Sequence, residues 1–189
     1  MLTIKPNTKF SAVYLLTLVL MSCTPAYYPK PYGYFRVDLP ENTYEKFDST
    51  FPCTFEKSAL ANAEFPQKNA VNLAYNSLNA TIYCNYQPVD KNITALSEDA
   101  RRSVYKHRVV AEDIKEVYYE NPENKVYGTF YDLKGNVASV AQFVITDSVR
   151  HFFKGALYFN NIPNKDSIAP MADYIKKDIV HLRESFRWK

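Results

Sequence analysis

The chain has 189 residues, 47% of them apolar and 23% charged, which suits one ordinary folded domain and excludes the disordered and collagen-like classes. Lys and Arg number 23 against 20 Asp and Glu, a formal charge of +3, so the strongly basic face that nucleic acid demands is not expected. Aromatic residues reach 15% while Gly numbers 4, which disfavours the clustered-glycine loops of Rossmann and P-loop nucleotide sites.

Residues 1–22 read as a secretory signal peptide. Lys5 and Lys9 precede an apolar run from Phe10 to Met21, about a dozen residues and shorter than the ~20 needed to span a bilayer. The run ends in Leu20-Met21-Ser22-Cys23, which resembles the bacterial lipobox: a leucine three residues before a cysteine and a small residue directly before it. Such a cysteine carries a diacylglyceryl group on sulfur and, after cleavage, an acyl chain (palmitate) on its new amino group. Two or three chains on one residue anchor stably, where a single chain is marginal. Removing 22 of the 189 residues leaves 167, takes away Lys5 and Lys9 with no acid, and lowers the charge from +3 to +1. No polybasic membrane patch is left. Thr24-Pro25-Ala26 holds neither an aspartate after the cysteine, associated with inner-membrane retention in enteric bacteria, nor the short acidic cluster of surface-exported Bacteroidetes lipoproteins. The expectation is a cell-envelope lipoprotein anchored at Cys23 in the outer membrane and facing the periplasm.

Residues 23–33 read as a lipidated tether, rich in Pro and Tyr and extended by its X-Pro steps. Tyr34 to Pro40 reads as an edge strand entering a single domain of residues 34–189. Within it, Val71, Leu73 and Tyr75 alternate with other residues, Ser77-Leu78-Asn79 makes a turn, and Ala80, Ile82, Cys84 and Tyr86 alternate again, which predicts a strand pair. Ser97 is placed as an N-cap, with Glu98 and Asp99 in the first turn of a helix whose stripe is Ala100, Val104, His107, Ala111 and Ile114. After a turn at Asn121-Pro122-Glu123-Asn124 comes a three-strand meander over residues 125–133, 137–146 and 149–160, turning at Lys134-Gly135-Asn136 and at Asp147-Ser148. Val149, Phe153, Leu157 and Phe159 are expected on one face of its last strand, with Arg150 and Lys154 on the other. Ser167 is read as the cap of a final helix with the stripe Ile168, Met171, Ile175, Ile179, Leu182 and Phe186. Strand runs with two amphipathic helices and no βαβ alternation give an α+β fold, an antiparallel sheet packed by two helices. The meander that closes into a terminal helix resembles the Mog1/PsbP-like sandwich, a likeness of fold alone.

No residue pattern points to catalysis, a metal or a cofactor. His107 lies on the predicted apolar stripe, His151 at the start of a strand on its inward side, and His181 on the polar flank of the last helix; none has a ligating neighbour at metal spacing. No Gly-x-Ser-x-Gly is present, and Glu112, Asp113, Glu116 and Glu120 are read as a solvated helix surface. With Cys23 lipidated, Cys53 and Cys84 remain as an even pair, either a disulfide formed in an oxidising periplasm or two buried thiols. Asp147-Ser148-Val149 and Asp166-Ser167-Ile168 resemble the short periplasmic O-glycosylation motif of Bacteroidetes and read equally well as a turn and a cap, so Ser148 and Ser167 are candidate modified residues.

Tyr28-Pro29-Lys30-Pro31 and Gly33-Tyr34-Phe35-Arg36-Val37-Asp38-Leu39-Pro40-Glu41 resemble the N-terminal signature of the gliding motility lipoprotein GldD family of Bacteroidetes. Matching pieces follow in the same order, among them Glu98-Asp99-Ala100-Arg101, Tyr131-Asp132-Leu133-Lys134-Gly135-Asn136 and Gly155-Ala156-Leu157-Tyr158-Phe159. Cys53 departs from the pattern, standing where an aromatic residue is expected. The resemblance implies an envelope lipoprotein that serves gliding, with other envelope motility proteins and the membrane as partners and no nucleic acid. It carries over no catalytic residue. Two other readings stay open: a cell-wall or glycan-binding module, which needs several rings exposed together, and an envelope hydrolase, which needs His, Ser or carboxylates converging in a pocket.

Overall fold

The computed structural model describes residues 38–47, 49–161 and 164–189. The expected signal peptide, Cys23 and the tether lie outside the described residues. Residues 38–43 form no strand, which corrects the edge strand expected up to Pro40; residues 34–37 of that expectation are outside the described ones. Proline at position 40 has no amide hydrogen for a ladder.

The first two strands, β1 (Tyr44–Phe47) and β2 (Cys53–Ser58), pair antiparallel. Next come β3 (Asn62–Gln67), β4 (Ala70–Tyr75), β5 (Ala80–Pro88) and helix α1 (Ile93–Tyr105). The chain continues through β6 (Ala111–Asn121), β7 (Val126–Gly135), β8 (Ser139–Thr146) and β9 (His151–Phe159). It ends in helix α2 (Lys165–Ser185) and the short β10 (Arg187–Trp188). Seven strands form one antiparallel sheet in the order β3-β4-β5-β9-β8-β7-β6, and β1-β2-β10 form a second, smaller one. Mostly antiparallel sheet with two helices is an α+β fold.

Register decides which residues meet. Directly opposed antiparallel partners share a face, and successive residues alternate faces. Val71, Cys84, Gly155, Phe143, Phe130 and Val117 are consecutive partners across six strands, an entirely apolar row on the inner face. One residue along, Asn72, Tyr83, Ala156, Gln142, Tyr131 and Glu116 form a polar and aromatic row on the outer face.

The inner face is sealed by α2, through Ile168, Ala172, Ile175, Ile179 and Leu182, and by the small sheet, through Phe47 and Phe55. Phe55 lies between Phe153 and Phe186, with ring centroids 6.0 and 5.9 Å away, so the two sheets interlock through rings. Gly155 is required here. A Cβ on it would stand 2.3 Å from the Phe143 ring, which lies over the bare backbone. The outer face carries α1 alone among the described helices, so the sheet is covered on both sides, but unequally.

The meander, the strand pair and the last helix occur where the sequence places them. Four expectations are corrected. Helix α1 begins at Ile93, with Asn92 at the cap position, so Ser97 is inside the helix; the Asn92 side chain accepts from the Asp90 backbone at 2.9 Å instead of capping. It ends at Tyr105 and passes through a 3₁₀ turn, Lys106–Val109, so Ala111 and Ile114 belong to β6 and not to the helical stripe. The β-branched pair Val109-Val110 has low helix propensity, which disfavours carrying the helix through to Ala111. Asn164, not Ser167, caps α2: its side chain accepts the Ser167 amide at 3.3 Å. Val149 stands in the turn before β9 and is 68% exposed, so it shares no face with the buried Phe153 and Leu157.

Candidate functional site

The outer face has the features expected of a recognition surface. Helix α1 buries only Ala100 and Val104, two small side chains, and is otherwise held by polar pairs at its flanks. On the β9 side, Lys154 Nζ stands 3.7 Å from Asp99. On the β6 side, Tyr105 donates to Glu116 Oε1 at 2.6 Å, and Arg101 Nε lies 3.9 Å from the same oxygen. The Arg101 guanidinium sits 5.3 Å from the centroid of the Tyr105 ring. Tyr118 donates to the other oxygen of Glu116 at 3.0 Å, and that bond pushes its phenol upward. Burial does the same to Tyr131.

Because α1 is slim where it meets the sheet, a hollow remains on each side. One, of about 110 Å³, lies over Ala156, between Tyr83, Tyr158, Gln142 and the Ser103 edge of the helix. The other, of about 250 Å³, lies over Thr129 and Val144 and is bounded by Tyr118 and Tyr127. Tyr118 is 73% exposed and Tyr83 46% exposed, large values for rings of this size. Tyrosine rings and hydroxyls line both hollows, and Gln142 and Asn85 add amides to the first.

A second polar cluster is structural. Asp178 of α2 is 2% exposed, and its carboxylate accepts from Tyr75 at 3.0 Å and from the Asn42 amide at 2.6 Å. Burial raises its pKa in spite of those bonds, and burial, then Asp178, raises that of Tyr75. The cluster ties the segment before β1 to α2. Beside it, Tyr44 stacks on His181 at 3.6 Å, and His181 Nε2 meets Glu56 Oε2 at 2.6 Å. Burial, then Asp178, pushes the Tyr44 phenol up to about 12.

The other singled-out residues are dispersed. His107 is half-buried in the 3₁₀ turn after α1, which corrects its place on a helical stripe, and burial lowers its pKa. His151 stacks on Trp188 at 4.9 Å, and its Nδ1 pairs with the Tyr86 hydroxyl at 2.9 Å. Glu112, Asp113, Glu116 and Glu120 stand on β6, a correction to the helix surface expected for them. Cys53 and Cys84 are buried free thiols; burial pushes the Cys53 thiol up to about 12 and Cys84 upward as well, with Cys53 adding to the latter. Ser148 is exposed at the tip of the β8–β9 turn with φ +67°, and Ser167 is exposed in the first turn of α2. Below Ser148, Asp147 accepts three backbone amides, at 3.0, 2.7 and 2.7 Å; these outweigh its partial burial and hold its carboxyl below the usual range. Among the described residues, no group of three or more His, Cys, Asp or Glu is placed to hold a metal, and no helix is long and apolar enough to cross a membrane. The outer-face hollows were not singled out in the sequence; the pairing of Gln142 with Tyr131 and Ala156 depends on register, and only the dense tyrosines hinted at it.

Residues 24–188 match the model of the gliding motility lipoprotein GldD family. The chain belongs to that family. It is a gliding motility lipoprotein by family, which associates it with the cell envelope and the motility machinery. No curated protein matches the chain. Within the matched residues, Glu98-Asp99-Ala100-Arg101 is the middle of α1, and Ala156 forms the floor of the first hollow.

Proposed function

We propose that the chain is a non-catalytic accessory of the gliding apparatus, lipidated at Cys23 after removal of residues 1–22. Residues 23–33 tether the 34–189 domain to the outer membrane on its periplasmic side, and the domain works through protein contacts. The observation that carries this reading is the free edge at β6. That strand is 11 residues long, contains no proline, and among the described residues bonds only to β7. The opposite edge, β3, is short and carries Pro66, devices that block strand addition. Each edge has one register shift, between Glu64 and Gln67 on β3 and between Ala111 and Asp113 on β6, which leaves Asp113 to Asn121 in continuous register. On β6, Glu112, Asp113 and Glu116 already face Lys165, Lys134 and Arg101, and Glu120 adds a further carboxylate towards the strand's end, which suits an extended basic segment of an envelope protein.

The test is crosslinking and pull-down from envelopes with the full chain. Recovery of an envelope protein, reduced by Tyr118→Ala together with Glu120→Lys, is the expected result; recovery of none under conditions that retain other motility lipoproteins counts against the reading. Three finer proposals have their own tests. Protease shaving of intact cells should leave the domain intact if it faces the periplasm. Non-reducing peptide mapping with thiol blocking decides a Cys53–Cys84 bridge. Intact mass decides sugar on Ser148 or Ser167. The Mog1/PsbP-like sandwich also stays a proposal, supported by a meander that runs into a long helix packed on its sheet.

A further inference from the structure

The first outer-face hollow has no counterpart in a strand-addition reading. Three features set it apart from ordinary surface relief. Its floor is Ala156, the one small side chain in a row otherwise made of Asn72, Tyr83, Gln142, Tyr131 and Glu116, so the hollow is built by sequence and not by a loop. Beside that floor, Gln142 is 8% exposed, and its side-chain Nε2 is buried with no hydrogen-bond partner. An unpaired buried amide costs about 1–3 kcal/mol and calls for an explanation, of which an absent ligand group is one. Across the floor, Tyr83 is 46% exposed and meets Tyr158 in an edge arrangement, with centroids 5.8 Å apart, and both rings border the hollow.

We infer that this hollow is a saccharide subsite, taking one neutral pyranose unit of a glycan. A sugar ring presents an apolar C–H face and a rim of hydroxyls. The tyrosine ring offers a flat partner for the first; the Gln142 amide, Asn85 and Ser103 offer hydrogen-bonding groups for the second. Charge selects the neutral class: the one cation in the lining, Lys154, has Asp99 3.7 Å away, so no net field favours a phosphate or carboxylate. The polar lining equally disfavours an acyl chain, which would leave Gln142 unpaired. Cell-wall glycans and envelope polysaccharides share this chemistry, and they differ in N-acetyl groups.

The experiment is saturation-transfer NMR of the full chain in detergent with chitotriose, cellotriose and maltotriose as probes. The expected result is saturation of the sugar-ring protons of at least one probe. An N-acetylated preference would indicate a cell-wall source; preference for an unacetylated probe would indicate a polysaccharide. Tyr83→Ala and Gln142→Leu should each weaken binding at least tenfold, and Ala156→Leu should abolish it by filling the floor. Lys177→Ala, on the exposed side of α2, should leave it unchanged. Gln142→Leu separates the site from folding, because removing an unpaired buried amide should hold or raise the melting temperature while binding is lost. No transfer to any probe, or transfer that survives Gln142→Leu and Ala156→Leu, would overturn the inference.

Discussion

The two rows of the main sheet stand one residue apart on the same six strands, yet they have opposite characters. The row through Gly155 and Phe143 is apolar from Val71 to Val117 and lies under α2 and the small sheet. The row through Ala156 and Gln142 is polar and aromatic and lies under a helix that buries two small residues. Both rows also contain one very small residue, and its consequence differs. The bare backbone at Gly155 is filled by the Phe143 ring from the same sheet, whereas the space over Ala156 is left open. The inner face therefore carries the fold's stability, and the outer face is free to bind.

The largest test of that division is Phe153→Ala. The ring is fully buried between Phe55, Phe143 and Phe186, so its loss should cost about 3–5 kcal/mol in urea or thermal unfolding. Next is Asp178→Ala, which leaves the Tyr75 hydroxyl and Asn42 amide without their acceptor and should cost about 2 kcal/mol. Asp178 also sets a pH signature. Its folded pKa lies above the ordinary carboxylate value, so the folded state holds its proton longer. Its contribution is most favourable below the unfolded pKa and is lost as pH rises through the folded one. Measured against Asp178→Asn, the wild-type chain should thus lose relative stability across that window on raising pH; a relative gain would contradict the assignment. Gly155→Ala should follow at about 1–3 kcal/mol, since Phe143 must move to admit the methyl group. On the outer face, Tyr118→Ala should leave the melting temperature essentially unchanged while it reduces partner recovery.

How far the sequence carried these features follows from where each lies. The β7–β9 meander is legible because each strand is bounded by turn residues and buried on one side, which writes alternation into the chain. Strand β6 is an edge strand, half-exposed on both faces, so alternation is weak. Ala111 and Ile114, three apart after Val104 and His107, instead extend the period of the helix before them. Ser97 and Ser167 have good capping chemistry, but the helices start three to five positions earlier, after Asn164, whose side chain caps α2, and after Asn92, which takes the cap position of α1 without a side-chain bond to it. The hollow over Ala156 could not be read from local pattern, because it depends on how β5, β9 and β8 align. The inner stripe of α2 was visible, except for Asp178, whose burial depends on Tyr75 and Asn42, more than a hundred residues away in the chain.

The division between the two faces is tested most directly by photo-crosslinking in intact envelopes from two exposed positions, Tyr118 on β6 and Lys177 on the outward side of α2. The account predicts protein adducts from position 118 and none from position 177. Adducts from 177 alone would place the working surface on the helix that seals the core and would contradict it.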